Sequence, residues 1–369
     1  MRTLPAYAAR VNPRSNEIYG FDTGEILESL LVSVHIHSGT EARFLGLDVN
    51  DNVVALVREF AEELCGKLNF EPSVLYKLAT DLMPYKIVPE RIRCMFMRSR
   101  AERHELSFTG SMHLERIRKR FLEILNLTEF KIRRPMCFLT HDVDSKVGLR
   151  RALRFKEIEE RYEIESTWFL LTDEYELDRG IVKRLAENGE VASHGTRHDG
   201  RLLCCRVDSL VAQLRRGKHR LEEITEREVC GFRAPLLQYN GRVVKAIGEA
   251  GFKWDSSMPT WEPVHPSTMK ADGIGLINPI KLHRVWEIPV TLPQDYQMLR
   301  ILTLTPEQTI REWIRLMNEI RELGGISVFL IHPDYEFASD ANLRRYEKLL
   351  ISVKADGDFR VMSDLTSAS

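Results

Sequence analysis

The features this 369-residue chain lacks narrow its class first. Its six cysteines, Cys65, Cys94, Cys137, Cys204, Cys205 and Cys230, form no Cys-x-x-Cys pair and no regular ladder. That argues against a disulfide framework and fits a reducing compartment. No apolar run approaches the length of a membrane-spanning helix, and residues 1–15, interrupted by Pro5 and Pro13, contain no secretory signal, so a cytoplasmic location is expected. Neither sign of charge dominates: 53 Lys and Arg stand against 54 Asp and Glu, which gives no ground for a nucleic-acid partner. The local basic clusters, Arg150, Arg151, Arg154 and Lys156, then Arg215, Arg216, Lys218 and Arg220, recur at helical spacing and read as solvated helix faces. No Gly-x-Gly-x-x-Gly follows any strand candidate, so nothing supports a bound dinucleotide.

A hydrophobic share of 43% with 29% charged residues describes a globular protein, and the length exceeds what one core usually carries. Residues 1–132 are expected to form a smaller α+β accessory domain, and residues 133–369 the main domain. In the first part, Val53, Val57, Phe60, Ala61 and Leu64 follow Asp51 at helical spacing, and Leu114, Ile117, Phe121, Leu122 and Leu125 predict a second helix. Val32, Val34 and Ile36 alternate with Ser33, His35 and His37, the pattern of a half-buried strand with exposed histidines. The arginine- and methionine-rich stretch 91–103 reads as a connection.

From Pro135 the chain repeats one pattern. Asp178 caps a helix carrying Ile181, Val182 and Leu185, Gly189 ends it, and a short apolar strand follows. Asn240 opens a second copy, with Val243, Val244 and Ile247 and a stop at Gly251. Thr305-Pro306-Glu307-Gln308 opens a third with the signature of a capping box, ahead of Ile310, Trp313, Ile314, Met317 and Ile320. Strand candidates fall at 136–141, 166–171, 190–194, 229–233, 252–256, 285–290, 326–332 and 358–362. Seven or eight parallel strands alternating with helices predict an α/β barrel, whose chemistry gathers at the strand carboxyl ends.

The polar residues of interest sit at those ends. Thr140-His141-Asp142-Val143-Asp144 closes the first strand, and two carboxylates one residue apart point to one face, about 6 to 7 Å from each other. Such a pair serves proton transfer, holds a metal, or is merely solvated at a turn. Ser193-His194-Gly195-Thr196-Arg197-His198 ends the third strand. Two imidazoles four residues apart, with one carboxylate, make a three-ligand site with open positions. Arg233, in Phe232-Arg233-Ala234-Pro235, would stand at the barrel mouth, where a guanidinium can hold a carboxylate ionised. Asp255 and His332 close two further strands, each also explicable as an ordinary cap or buried histidine.

As an ordered set, these motifs, with Lys253-Trp254-Asp255-Ser256-Ser257, Glu287-Ile288-Pro289-Val290 and Phe329-Leu330-Ile331-His332-Pro333, resemble the polysaccharide deacetylases. These are the NodB-homology carbohydrate esterases of family 4. The resemblance runs from Met136 to His332 and leaves the first third uncovered. It implies a distorted (β/α)7 barrel that removes N-acetyl or O-acetyl groups from sugars with one divalent metal, zinc first, with cobalt, nickel or manganese as alternatives. It further implies Asp144, His194 and His198 as metal ligands, Asp142 as base, Arg233 as its orienting partner, His332 as general acid and Asp255 as the group that tunes His332. The backbone N–H of Leu236 would meet the oxyanion. Three departures stand out: Val143 separates the aspartates, Leu236 replaces an aromatic, and Trp261 lies far from Asp255. The expected substrate is an acetylated sugar, free, nucleotide-linked or lipid-linked. Hydrolysis of a non-carbohydrate amide or cyclic imide at the same site, and a catalytically silent carbohydrate-binding barrel, are the rival readings.

Overall fold

The computed structural model describes residues 17–18, 21–38, 51–72, 76–77, 80, 88–101, 112–125, 134–265, 268 and 270–367. The first part is helical: after a minimal hairpin of β1 (Glu17–Ile18) and β2 (Phe21–Asp22) come α1 (Thr23–Ser38), α2 (Asp51–Leu68), α3 (Glu90–Arg100) and α4 (His113–Ile124). The barrel follows. Its elements are β3 (Met136–Val143), α5 (Lys146–Arg161), β4 (Ser166–Leu170), α6 (Arg179–Ala186), β5 (Glu190–Ser193), α7 (Val207–Thr225), β6 (Gly231–Phe232), α8 (Gly241–Glu249) and β7 (Trp254–Asp255). Then come β8 (Ile280–Leu282), β9 (Val285–Glu287), α9 (Pro306–Glu322), β10 (Ser327–Leu330), α10 (Asp340–Asp356) and β11 (Asp358–Arg360).

The helices begin where the caps indicate. The Asp178 carboxylate accepts from the N–H groups of Gly180 and Ile181, Asn240 accepts from Val243, and Thr305 with Gln308 forms the reciprocal capping box. The sheet runs β10-β3-β4-β5-β6-β7-β9-β8, parallel from β10 to β9, with β8 antiparallel at the edge and β11 paired in parallel to the start of β3. It curls without a complete ladder between its ends. The Leu292 N–H, 3.3 Å from the Val328 carbonyl, the Ile326 N–H, 3.0 Å from the Ile277 carbonyl, and the Val328 N–H, 2.8 Å from Thr291 Oγ1, help tie β10 to the far side. This is the distorted barrel of the expected α/β class.

Alternation along β3 sorts its residues. Cys137, Leu139 and Val143 join the core beneath the helices, whereas Phe138 belongs to the barrel interior with Phe169, Ala192, Trp254, Trp286, Ile288 and Val328. Thr140 and Asp142 continue that inner face toward the mouth. Because β3, β5, β6, β7 and β10 are parallel, their carboxyl ends open on one rim. His141, on the outer face, is fully buried, stacks on Trp168 and reaches the Ile331 carbonyl and the Glu159 carboxylate at 2.9 and 3.0 Å. It fastens β3 to the strand that delivers His332.

Two expectations fail in the first part. Residues 32–37 belong to the second half of α1, whose first half carries Ile26, Leu27, Leu30 and Leu31, all buried and at helical period. Most of the stretch 91–103 is α3, anchored by Cys94 and Met97 against Val264, Tyr296 and Ile301. The apolar faces of α1, α2 and α4 share one cluster with Tyr239, Val244, Met258, Leu276, Ile280 and Leu282 of the barrel. Beside it, the buried Arg118 donates to Glu115 at 2.9 Å and to the Pro279 carbonyl at 3.2 Å.

Gly231 on β6 lies against the fully buried Trp254, and a Cβ there would come within 1.9 Å of the indole. Gly231→Ala should therefore destabilise the protein by about 1 to 3 kcal/mol through overpacking, lowering the melting temperature in a thermal scan. An unchanged midpoint would show that Trp254 has room to move.

Candidate active site

Arg233 leaves β6 into the barrel mouth with its guanidinium fully buried. It donates to Asp142 Oδ1, Thr140 Oγ1, the Ser256 carbonyl and Ser256 Oγ, each at 2.9 Å, and lies 4.0 Å over the Phe169 ring. Burial lowers its pKa, while Asp142 opposes that shift. A charge-assisted bond of this kind keeps the carboxylate oriented and desolvated. The backbone of Arg233 also serves: its carbonyl accepts from His194 Nδ1 at 2.9 Å. A carbonyl only accepts, so Nδ1 carries a hydrogen and Nε2 is the ring atom free to serve as a ligand toward the mouth.

That Nε2 stands 3.4 Å from Asp144 Oδ1 and 3.7 Å from Asp142 Oδ2, and His198 Nε2 is 3.7 Å from Asp144 Oδ1. Asp144, His194 and His198 present one ligand atom each, all within 4.8 Å of one another. Gly195, at φ +79°, allows the turn that brings His198 back, and the His198 N–H is held by Glu174 at 3.0 Å. The Asp144 N–H donates to Asp334 at 3.0 Å, and its Oδ1 is a buried atom with no hydrogen-bond partner. Burial disfavours the charged form of Asp144, yet His198, His194 and His332 outweigh it and hold the carboxyl far below its usual range. An anion facing two neutral-capable imidazoles, with an orphaned oxygen between them, fits a divalent cation with open positions.

His332 follows β10 at the opposite wall. Its Nδ1 lies 2.5 Å from Asp295 Oδ1, and its N–H donates to Asp295 Oδ2 at 2.9 Å. Burial works against the imidazolium, but Asp295, reinforced by Asp144 and Asp142, raises the ring to about 10. Asp255 is elsewhere: it accepts from Ser257 Oγ at 2.5 Å beside Glu287, behind Arg233. Burial raises Asp255 to about 6 and pushes Glu287 well above the carboxylate range, so the two share a proton. The tuning partner expected for His332 is thus Asp295, which lies in the irregular segment after β9 where no spacing marks it. Asp255 instead backs the arginine.

Leu236 sits at φ 59° and Leu237 at φ 49°, a left-handed pair that costs branched residues about 1 to 2 kcal/mol each. Among the described residues the Leu236 N–H makes no hydrogen bond, while the Leu237 N–H donates to Ala234. One cavity is lined by Asp142, Asp144, His194, His198, Leu236 and His332, and by Gln294, Tyr296, Gln297 and Tyr335, which the sequence motifs do not single out.

Fold and site together define a (β/α) barrel with a carboxylate–arginine pair beside a cluster of two histidines and one carboxylate that could hold a cation. Residues 133–254 match the family described as polysaccharide deacetylase. A search of curated proteins returns no match. Among solved structures, a Mycobacterium smegmatis protein assigned to the polysaccharide deacetylases is 22% identical, with a TM-score of 0.52, over 64% of this chain and 90% of that one. The chitin deacetylase of Colletotrichum lindemuthianum is 17% identical over 63% and 88%, with a TM-score of 0.41. A CE4-family pseudoenzyme of Bacillus anthracis is 16% identical over 63% and 65%, with a TM-score of 0.43.

In metal-free protein, an NMR titration of the His332 ring should place its pKa near 10, and Asp295→Asn should lower it by removing the chief partner that favours the imidazolium. A titration unchanged by Asp295→Asn would contradict the assignment.

Proposed function

We propose that residues 133–369 form a metal-dependent hydrolase that removes an acetyl group, N-acetyl in preference to O-acetyl, from a sugar or glycan precursor, with residues 1–132 as an accessory layer. The observation that carries this reading is the meeting of Asp142–Arg233, Asp144–His194–His198 and His332–Asp295 around one cavity. A divalent ion, zinc by preference, held by Asp144, His194 and His198 would polarise the acyl carbonyl and acidify water. The remaining steps belong to the chain. Asp142, oriented by Arg233, accepts the proton of the attacking water. The Leu236 N–H donates to the oxyanion. His332, an imidazolium at neutral pH through Asp295, donates to the departing nitrogen. An amide needs that last step because an amine anion leaves poorly, so a partner that is held protonated at neutral pH favours N-acetyl chemistry. Among the described residues no helix is long and apolar enough to cross a membrane. A cytoplasmic enzyme would act on a nucleotide- or lipid-linked precursor.

The direct test is acetate release from acetylated free, nucleotide-linked and lipid-linked sugars by the metal-supplemented protein. Ring opening of an imide without acetate release would instead establish a cyclic-amide hydrolase. Asp142→Asn should retain metal and fold and lose turnover, whereas Asp144→Asn, lacking the anionic ligand, should lose metal. Metal content and turnover of both variants check this, and the opposite pattern would reverse the roles. His332→Ala should cut amide turnover by about a hundredfold or more, and turnover of an activated ester much less. Equal losses would remove His332 from proton donation.

A further inference from the structure

The cavity wall beside His332 contains a polar device that the proposed chemistry does not use. Glu262 is fully buried between two glutamines. Gln294 Nε2 donates to Glu262 Oε1 at 2.5 Å, and Gln297 Nε2 donates to Glu262 Oε2 at 3.2 Å and to the Val264 carbonyl at 2.8 Å. A carbonyl cannot donate, so the Val264 bond settles which end of the Gln297 amide is nitrogen. Its oxygen is consequently the free end, and Gln297 Oε1 is a buried atom without a hydrogen-bond partner. Gln294 is pinned by its nitrogen in the same way. Both glutamines line the cavity that holds Asp142, Asp144 and His332.

Local backbone geometry accounts for the pairing. The Met298 N–H donates to the Gln294 carbonyl at 3.1 Å, an i→i−4 turn that sets residues 294 and 297 on one face just where the π-helical turn Gln297–Ile301 begins. A buried acceptor left unmet is costly, and its cost falls only when a donor arrives. The Gln297 amide nitrogen spends both its hydrogens, on Glu262 and Val264, so its carbonyl oxygen is presented with no competing donor from that side chain, and Gln294, held to Glu262 through its nitrogen, offers a second carbonyl oxygen.

We infer that Gln294 and Gln297, clamped by Glu262, are a specificity-determining subsite that accepts hydrogen bonds from a donor on the substrate beside the scissile group, a sugar hydroxyl or amide N–H. The inference rests on the carbohydrate reading above for the identity of the donor. It makes the wall selective for ligands rich in donors and hostile to an anionic substituent at that point. Glu262 is a positioning residue that acts through the glutamines.

The experiment compares the metal-loaded wild type with Gln297→Met, Gln294→Met and Glu262→Gln. Binding of N-acetylglucosamine oligomers is followed by calorimetry, and kcat/KM is measured on the same oligomers and on an aryl acetate that has no donor. Gln297→Met should weaken oligomer binding and kcat/KM about tenfold, the effect of one lost hydrogen bond, with a clearly smaller loss on the aryl acetate. Glu262→Gln, which keeps only one acceptor oxygen for the two amides, should raise KM on the oligomer more than it lowers kcat, with melting temperature recorded to detect a folding defect. If the wild type binds the oligomers but releases no acetate, and the variants bind them more weakly, the subsite stands and the deacetylase reading falls. Equal losses on both substrates, unchanged oligomer binding in the glutamine variants, or no oligomer binding by the wild type would each overturn the subsite.

Discussion

The buried guanidinium of Arg233 is the constraint on which the site depends. A charge taken out of water is tolerable only where every donor finds an acceptor. Arg233 meets that demand with Asp142 and Thr140 of β3 and with the backbone and side chain of Ser256 after β7, while its own carbonyl fixes His194 after β5. One residue thus holds three strand ends in register. Removing Asp142 would strand the cation, and removing Arg233 would leave the carboxylate facing Asp144 with no cation beside it. The shared proton of Asp255 and Glu287 behind it avoids the repulsion of two full negative charges at that depth.

The opposite wall is built on a second polar pair. Asp295 contacts His332 through both its oxygens, one to the ring and one to the N–H, so ring orientation and charge are set together. Two clamps lie on facing walls, one orienting the Asp142 carboxylate and one favouring the protonated His332 ring, and in the proposed reaction they keep the base apart from the acid within one cavity. That separation is what acid–base work on an acyl group requires.

The barrel was legible because each of its parallel strands is short, apolar and bounded by a cap or a glycine, and because polar residues cluster at strand exits. Asp142, Asp144, His194, His198, Arg233 and His332 could be singled out since each closes such a strand. Asp295 could not: it lies in the irregular run after β9, while Asp255 occupies a strand end and offered a carboxylate of the expected type. Gln294, Gln297 and Tyr335 carry no motif and are assembled by tertiary packing alone. The antiparallel β8, only Ile280–Leu282, is too short to show a period. In α1 a six-residue alternation drew attention away from the helical period of Ile26, Leu27, Leu30 and Leu31 just before it, and in α3 the dense arginines hid two buried anchors, Cys94 and Met97. The α3 anchor matters to the site, since Cys94 Sγ lies 3.2 Å from the hydroxyl of Tyr296, the residue between Asp295 and Gln297.

The most direct measurement of the central claim is anomalous diffraction from crystals grown with zinc, recorded on both sides of the absorption edge. The account predicts one strong peak per chain among Asp144 Oδ1, His194 Nε2 and His198 Nε2, within about 2.0 to 2.2 Å of each, with Asp142 outside the ligand set and still bonded to Arg233. A peak bound through Asp142 instead of Asp144, or no peak at that position, would contradict it.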